Sequence, residues 1–213
     1  MSEKRVSPKK SKWKKLFWLL LSIDIIIIAV LLAFIFWPVQ GADMPAKHNV
    51  DEEQSSSFTI RTTRKNLDEL INAYLDKLLQ DSKHHYKISL EDDVHLMGEL
   101  PVFSTTVPLS VHLEPIVQKN GDVVLKQKSI SIGLLELPNK KIMEYMKKYL
   151  PMPEWVAIDP AKSEIYLAVT QMEIKSNFHV KVEHLDLEAN NIAIQLKVPY
   201  RTLGIDPINT NGQ

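Results

Sequence analysis

Three consecutive acidic side chains are the first group in this chain that could do chemistry. Glu91, Asp92 and Asp93 lie between two short segments of alternating hydrophobicity. They could act as a carboxylate pair or bind Ca²⁺, but a calcium loop needs alternating acidic positions, a glycine and a distal glutamate. That spacing is missing here. Because acids at the tip of a hairpin are usually solvated, we expect a solvated turn.

Histidine side chains form the second group. Four of them could meet across neighbouring strands as a metal cluster: His84, His85, His95 and His112. Adjacent histidines on a strand point to opposite faces, and the chain has no H-E-x-x-H motif. We therefore predict no metal site and no cofactor.

Motifs for nucleophilic or phosphate chemistry are missing from the sequence. It has no G-x-S-x-G and no glycine-rich phosphate loop, and it contains six glycines in all. It also has no cysteine, which excludes thiolate metal sites, a cysteine nucleophile, disulfides and lipid attachment through cysteine. We expect a protein without catalysis.

An apolar segment near the N-terminus dominates the sequence. Leu16 to Trp37 is 22 residues long, contains no glycine or proline, and has Asp24 as its one charged residue. At about 1.5 Å per residue, a helix of this length matches the hydrocarbon core of a bilayer. We predict a single transmembrane helix over residues 16–37.

Basic residues in front of this segment predict its orientation. One acidic residue, Glu3, stands there against seven basic ones, namely Lys4, Arg5, Lys9, Lys10, Lys12, Lys14 and Lys15. Cationic flanks stay preferentially on the cytoplasmic side of a membrane. We therefore expect a cell-membrane protein with residues 1–15 in the cytoplasm and the C-terminal domain outside.

A cleaved signal peptide is the competing interpretation of the apolar segment. Signal peptides have a shorter apolar core, of about 7 to 15 residues, followed by a small-residue cleavage site. Here the 22-residue run ends in Trp37-Pro38, and only Val39-Gln40-Gly41 follows as a weak cleavage site. This pattern favours a retained anchor.

Asp24 is the exception within the segment. A carboxylate there costs about 2.5 to 3.5 kcal/mol on insertion scales, and such residues often contact a partner inside the membrane. Asp24 is therefore a candidate membrane-partner contact. The alternative is that a very apolar helix simply tolerates it.

The remainder of the chain is acidic and long enough for one domain. Seven of the 26 basic and one of the 26 acidic residues lie in residues 1–15, which leaves 19 basic and 25 acidic residues elsewhere. This balance argues against a nucleic-acid partner. We expect a linker over 38–61, one extracytoplasmic domain over 62–200 and a C-terminal tail over 201–213.

The hydrophobic spacing after residue 66 predicts a long amphipathic helix from about Asn66 to Gln80. Apolar residues recur there at intervals of three and four, which places them on one face. Either Asn66 with Glu69, or Thr63 one turn earlier, would cap its N-terminus. The stripe comprises Leu67, Leu70, Ile71, Tyr74, Leu75, Leu78 and Leu79.

Most of the remaining domain has the alternating pattern of antiparallel strands. The segments predict a hairpin over residues 86–98, a strand over 103–113, a tight primed turn at Asn120-Gly121 and a strand over 122–135. A second, short helix begins near Pro138, and further strands follow it. The apolar face of this helix comprises Ile142, Met143, Met146, Tyr149 and Leu150. The fold class is α+β, with the long helix packed in a single curved antiparallel sheet.

The long helix has two possible roles. An apolar stripe is usually core, but a sheet wrapped around one helix often leaves a seam that admits an acyl chain. The candidate ligand-binding residues are therefore on its apolar face: Leu67, Leu70, Ile71, Tyr74, Leu75 and Leu78.

Several segments taken together resemble the YpmS-like family of uncharacterised Gram-positive membrane proteins. They are the basic tail with its span, then NLDELINAYLDKL, YKISLEDDVHLMG, EPIVQKNGDVVL and PMPEWVAIDP. The resemblance covers residues 12–199 and implies no reaction and no catalytic residues. In layout alone, a long helix followed by antiparallel meanders is also similar to the tubular lipid-binding folds of the TULIP type.

One functional expectation follows from the predicted membrane anchor, the missing catalytic motifs and the apolar face of the long helix. We expect a membrane-anchored extracytoplasmic binding module for lipid or another apolar ligand. The alternative is a protein-interaction component in cell-envelope assembly, with an envelope protein as partner. A cell-wall hydrolase would require carboxylates that converge in a cleft.

Overall fold

The computed structural model describes residues 12–36, 38–39, 41–42, 45, 54–80, 85–102, 105–133, 139–150, 152–172, 174 and 177–205. The chain divides into two compact units, residues 1–38 and residues 39–213. Its elements, in order, are α1 (Lys12–Phe36), β1 (Ser55–Thr62), α2 (Arg64–Leu79), β2 (Tyr86–Leu90), β3 (Val94–Val102), β4 (Thr105–Val117), β5 (Val123–Ile132), α3 (Asn139–Tyr149), β6 (Val156–Asp159), β7 (Glu164–Leu167), β8 (His179–Asp186) and β9 (Asn191–Pro199).

The first unit contains the apolar helix α1. Its stretch from Trp13 to Phe34 is long and apolar enough to cross a membrane. All described side chains in that stretch are exposed, apart from the partly buried Leu21. A helix that is apolar on every side needs an apolar environment, so α1 indicates membrane anchoring. Trp37, the predicted last residue of the span, lies outside the described residues.

The strands of the second unit form two antiparallel sheets. One has six strands in the order β2-β3-β4-β5-β7-β6, and the other has three in the order β1-β9-β8. The predicted α+β class with antiparallel strands is confirmed, but the strands divide between two sheets and do not form a single one. β1 pairs over its whole length with β9, from Ser55 opposite Pro199 to Thr62 opposite Ile192.

The N-terminus of helix α2 is capped by the side chain of Thr63. The side chain of Thr63 accepts a hydrogen bond of 3.3 Å from the backbone N–H of Asn66, so Thr63 and not Asn66 is the N-cap. The helix packs against β2. The Asn72 amide donates to the carbonyl of Ile88 at 2.7 Å and accepts from the N–H of Ile88 at 2.9 Å. Polar side chains of α2 thus cover the outer edge of β2.

The core lies against the inner face of the six-stranded sheet. Helix α3 contributes Met143 and Met146, both 0% exposed, and Ile142 at 4%. The predicted apolar face of α3 is thus confirmed for these three residues, and Leu150 packs against the core as well. The prediction is wrong for Tyr149, which is 51% exposed at the end of the helix. From the sheet, the most deeply buried apolar side chains are Leu109, Val111, Leu113, Ile130 and Ile158.

A glycine permits close packing at the edge of this core. Gly98 lies opposite Tyr86 across β2 and β3, and the Tyr86 ring covers it. A Cβ atom on residue 98 would lie 2.1 Å from that ring, so no other residue fits there without rearrangement. Burial, together with the nearby Tyr145, raises the pKa of Tyr86 to about 12.

The turn between β4 and β5 differs from the prediction. Gly121 has a φ of +93°, but Asn120 is not among the residues with positive φ, so the predicted two-residue primed turn is wrong. The turn is longer and closes with a 2.8 Å hydrogen bond from the N–H of Gln118 to the carbonyl of Asp122. The turn differs from the prediction because the Asn120 side chain donates hydrogen bonds to the Asp122 carboxylate and the Tyr166 hydroxyl.

Some predicted boundaries shift in the structure. The strand predicted from Phe103 begins at Thr105 and continues to Val117, and Phe103 lies outside the described residues. The next strand ends at Ile132. Strand β1 begins within the predicted linker of residues 38–61, and a 3₁₀ turn, Tyr200–Leu203, extends into the predicted C-terminal tail. The division of the chain into those segments stays a prediction.

Candidate functional site

Two histidines lie together on the outer face of the six-stranded sheet. His95 on β3 and His112 on β4 are directly opposite one another in the strand register. Their rings are stacked, with 4.0 Å between centroids and 14° between planes. Their neighbours along each strand point inward to the core, as the period of two requires. The pair is therefore a surface feature that the strand register creates.

Each histidine of the pair has its own polar partner. His95 Nε2 lies 2.7 Å from the hydroxyl oxygen of Ser110. His112 Nδ1 lies 3.1 Å from the Asp93 carboxylate, whose other oxygen is 3.3 Å from the ammonium of Lys128. We call these five residues the histidine cluster.

The charges within the histidine cluster shift two pKa values. Burial alone would raise the pKa of Asp93, but the hydrogen bonds and positive charges of His112 and Lys128 outweigh it and lower that pKa. Burial lowers the pKa of His95, and the neighbouring His112 lowers it further, against the opposing charges of Asp93 and Glu91. Both groups therefore take up a proton only at a lower pH than an unperturbed aspartate or histidine would.

The arrangement does not match a serine hydrolase. In a catalytic triad the carboxylate orients the same histidine that accepts the proton from serine. Here Asp93 is bonded to His112, whereas Ser110 is bonded to His95. Ser110 and His95 thus correspond to the serine and histidine of a triad, but the Asp93 carboxylate orients the other histidine, His112.

Metal binding is not favoured by the ring geometry either. The lone pairs of imidazole lie in the ring plane, so the nitrogens of two nearly parallel rings do not point at one ion. Within the described ranges, no group of three His, Asp or Glu side chains is suited to a metal ion. His85 is exposed, and His84 lies outside the described residues.

The three acids of the predicted turn have different surroundings. Asp93 belongs to the histidine cluster, and Asp92 forms a 3.3 Å ion pair with Arg64 while its side chain stays 81% exposed. The Arg64 guanidinium also donates to the backbone carbonyl of Glu91 at 2.8 Å. Arg64 and Lys128 thus already pair with two of the three acids.

A buried carboxylate, Asp122, was missed by the sequence analysis. It is 1% exposed, and its Oδ1 accepts from the Thr170 N–H at 2.9 Å and the Thr170 hydroxyl at 2.8 Å. Asn120 and Tyr166 donate to its other oxygen. Burial and this hydrogen bond raise the pKa of Tyr166. The signal in the sequence was Asp122 directly after Asn120-Gly121, which places a carboxylate inside a turn.

The predicted ligand-binding face of α2 divides into two parts. Leu67, Ile71 and Leu75 are partly buried and pack against the core. Leu78 is partly buried as well. Leu70, in contrast, is 65% exposed.

Tyr74 also lies on the exposed side of α2. It is 40% exposed, and its ring centroid lies 6.0 Å from that of Trp155, just before β6. Leu70 and Tyr74 are one helical turn apart, so together they form an apolar strip along α2. We call these two residues the exposed strip.

Two clefts open onto the described surface, and both contain many polar groups. One, of about 430 Å³, lies at the start of α2 and is lined by Arg64, Asp68, Ser89, Glu91 and Asn190 among others. The other, of about 480 Å³, lies at the end of α2 beside Tyr86 and Gly98. The exposed strip lies outside both clefts.

Comparison with known proteins places the chain in a family. Residues 11–198 match the family DUF2140, described as an uncharacterized protein conserved in bacteria. The chain is 31% identical over 182 residues to "Uncharacterized protein YpmS" of Bacillus subtilis (strain 168), a match that covers 85% of this chain and 95% of that protein. No solved structure matches the chain. The protein therefore belongs to the YpmS-like DUF2140 family of uncharacterised bacterial proteins.

Proposed function

We propose that this protein is a membrane-anchored, extracytoplasmic binding module without catalysis. Its ligand is a lipid acyl chain or another apolar molecule that lies along the exposed strip of α2. The observation that carries the proposal is that Leu70 is 65% exposed, and Tyr74 40% exposed, on a helix whose opposite apolar side is packed. That packed side comprises Leu67, Ile71 and Leu75.

The surroundings of the exposed strip support an apolar ligand. Exposed apolar side chains that adjoin one another mark binding sites more often than scattered single ones do. Leu70 adjoins Tyr74, and Tyr74 contacts Trp155, so three apolar side chains are contiguous. Aromatic rings provide a large contact area with little loss of side-chain entropy.

The polar groups support a binding role rather than a catalytic one. The Asp122 carboxylate accepts four hydrogen bonds from its own chain. In the histidine cluster, Asp93 is bonded to a different histidine from the one beside Ser110. A general base or nucleophile needs a partner arrangement that these side chains do not have.

The proposed orientation has residues 1–15 in the cytoplasm and the domain outside. The seven basic residues in front of α1 support it, because such residues are retained on the cytoplasmic side. This orientation would place the exposed strip on the outer side of the membrane.

A photoactivatable fatty acid tests the ligand. The full chain is reconstituted in lipid nanodiscs with palmitic acid that carries a diazirine, irradiated, digested and mapped by mass spectrometry. We expect labelled peptides from α2 around Leu70 and Tyr74 in addition to those from α1.

Two variants distinguish the strip from unspecific labelling. Leu70→Asp should remove the α2 label, because a carboxylate next to an acyl chain must be desolvated. Leu203→Asp is the matched control, since Leu203 is 56% exposed on a different element, and it should leave the α2 label intact. Labelling confined to α1, or equal α2 labelling in both variants, would contradict the proposal.

A protein-interaction role in cell-envelope assembly is the second candidate. Two observations favour it: Asp24 in α1, as a contact for a membrane partner, and the open edge strand β1. In the same nanodiscs, a protein that co-purifies in fixed ratio and is lost in Asp24→Leu would support this role.

A further inference from the structure

The two sheets have four outer edges, and three of them are protected. Exposed strand edges invite pairing with other chains, so proteins usually cover, bend or shorten them. The edge of β2 is covered by α2, where Asn72 bonds Ile88 and Asp68 accepts from the Leu90 N–H at 2.8 Å. Strand β6, at the other edge of the same sheet, is only four residues long.

The edge of the three-stranded sheet that is formed by strand β8 is protected. Its pairing with β9 is interrupted by a bulge between Val182 and His184. The N–H of Val182 donates to the carbonyl of Gly121 at 2.8 Å, and that turn therefore blocks the ladder on this side. A bulge also twists a strand away from a flat partner.

Strand β1, at the opposite edge, has none of these protections. It pairs with β9 through eight consecutive residues without a bulge. Its sequence, SSSFTIRT, contains no proline, no acid and one basic residue, Arg61. Within the part of the chain that the structure describes, β1 has a strand on one side only.

One face of β1 is also apolar and exposed. Phe58 is 53% exposed and Ile60 is 47% exposed. They lie opposite Leu196 and Ile194 of β9, so they extend the apolar side of the sheet to its rim. An edge strand that has no bulge and carries an exposed apolar face is a template for β-augmentation.

We propose that β1 pairs antiparallel with β1 of a second copy of this protein. The two three-stranded sheets would then form one continuous six-stranded sheet around a two-fold axis at Thr59. The proposal does not depend on the apolar ligand.

The register follows from the side-chain pattern. Residues directly opposite in an antiparallel pair point to the same face, so a two-fold axis must pass through a residue to keep the apolar faces together. An axis at Thr59 places Phe58 opposite Ile60 of the other copy. An axis at Phe58 would instead place Ile60 opposite a serine, and an axis at Ile60 would leave fewer residues paired.

Charge and tethering also fit a second copy. In the register centred on Thr59, Arg61 lies opposite the uncharged Ser57, so no like charges meet. A shared membrane raises the effective concentration of two anchored chains, and a short interface is then enough for association.

Cysteine cross-linking in membranes tests the proposal, because the natural chain contains no cysteine. Full-length Thr59→Cys is oxidised in isolated membranes. Directly opposite residues have Cα atoms about 4.5 to 5.5 Å apart, within the range of a disulfide, so we expect a cross-linked product with the mass of two chains.

Lys181→Cys is the matched control. Lys181 on β8 and Thr59 on β1 lie opposite the same residue of β9, Gln195, on its two sides. Lys181 therefore has the position on the protected edge that corresponds to Thr59 on the open edge. It should give little dimer. Equal yields from the two positions, a product with another protein, or monomer alone would overturn the proposal.

Charge exchange in the Thr59→Cys background tests the register. Phe58→Lys with Ile60→Lys places like charges opposite one another twice and should lower the dimer yield about tenfold. Phe58→Lys with Ile60→Glu places opposite charges there and should restore most of the yield. Circular dichroism verifies that both variants are folded, and equal yields from them would overturn the register.

Discussion

At the scale of single residues, the Asp122 carboxylate is the most deeply buried charged group in the described part of the chain. It joins the β4–β5 turn to two later segments of the chain, namely β7 through Tyr166 and the 3₁₀ turn Val169–Gln171 through Thr170. A buried carboxylate is tolerated when donors satisfy its oxygens. Asp122 therefore holds the far end of the six-stranded sheet together.

Removing this carboxylate should destabilise the domain strongly. Asp122→Ala leaves the Thr170 N–H and the Tyr166 hydroxyl without their acceptor, and we expect a loss of about 3 kcal/mol or more in the free energy of unfolding. Urea denaturation followed by circular dichroism measures it. Glu114→Ala, an exposed acid on β4, should stay within about 0.5 kcal/mol. Equal losses would mean that the Asp122 network contributes little.

The histidine cluster predicts how stability depends on pH. The pKa of His95 is lower in the folded state, so the unfolded chain takes up that proton first, and stability falls as the pH drops below about 6.5, the usual value for histidine. The pKa of Asp93 is also lowered, and its contribution is lost at lower pH, below about 3.9.

Denaturation at a series of pH values measures this effect. His95→Gln should flatten the pH dependence of the free energy of unfolding between about pH 7 and 5, because it removes the imidazole whose pKa is lowered in the folded state. Ser129→Ala, a non-titrating neighbour opposite His112, is the control and should keep the wild-type slope. A slope that is unchanged in His95→Gln would contradict the assignment.

At the scale of elements, α2 has a wider apolar stripe than it can bury. At 100° per residue, the seven apolar side chains cover about 180° of the helix surface. The sheet covers the half that contains Leu67, Ile71, Leu75 and Leu79, and Leu70 is left at the margin. The direction from which the sheet approaches decides which side chains are packed.

Alanine substitutions in α2 should separate the two sides. Ile71→Ala should cost about 2 kcal/mol or more because it opens a cavity against the core. Leu70→Ala removes a side chain that is 65% exposed and should cost no more than about 0.5 kcal/mol. The same urea titration measures both, and Leu70 acts as the internal control. A loss at Ile71 as small as at Leu70 would mean that the core lies elsewhere.

At the scale of the whole molecule, the chain combines a helix that is long and apolar enough to span a membrane with one compact unit of two sheets. The pairing of β1 with β9 connects the start of that unit to its end. Such non-local pairing closes a long loop at an entropic cost that local hairpins avoid.

The proposed orientation gives a prediction for the full chain. A reporter that functions only in the cytoplasm, fused after Gln213, should be inactive, because in the proposed orientation the basic N-terminus is inside and a single crossing by α1 would place Gln213 outside. The same reporter fused before Met1 should be active. Strong activity of the C-terminal fusion would reverse the orientation, and release of the domain with a new N-terminus near Ala42 would identify a cleaved signal peptide.

Local patterns in the sequence were sufficient for the elements that depend on neighbouring residues. The apolar run of α1 and the β2–β3 hairpin follow from the spacing and turn chemistry of a few adjacent positions. At the start of α2 the sequence left Asn66 and Thr63 as alternative caps, and the structure shows Thr63. Asn120 misled the turn prediction because its side chain binds Asp122, a tertiary contact that a dipeptide pattern does not contain.

Tertiary structure decided which of these elements meet. β1 lies opposite β9, more than a hundred residues away, and the strand register stacks His95 on His112. A shift of one residue would send each side chain to the other face, so the histidine cluster exists in this register alone. The same physical reason applies to α2: sequence determined that its stripe is apolar, and packing determined that Leu70 and Tyr74 stay exposed.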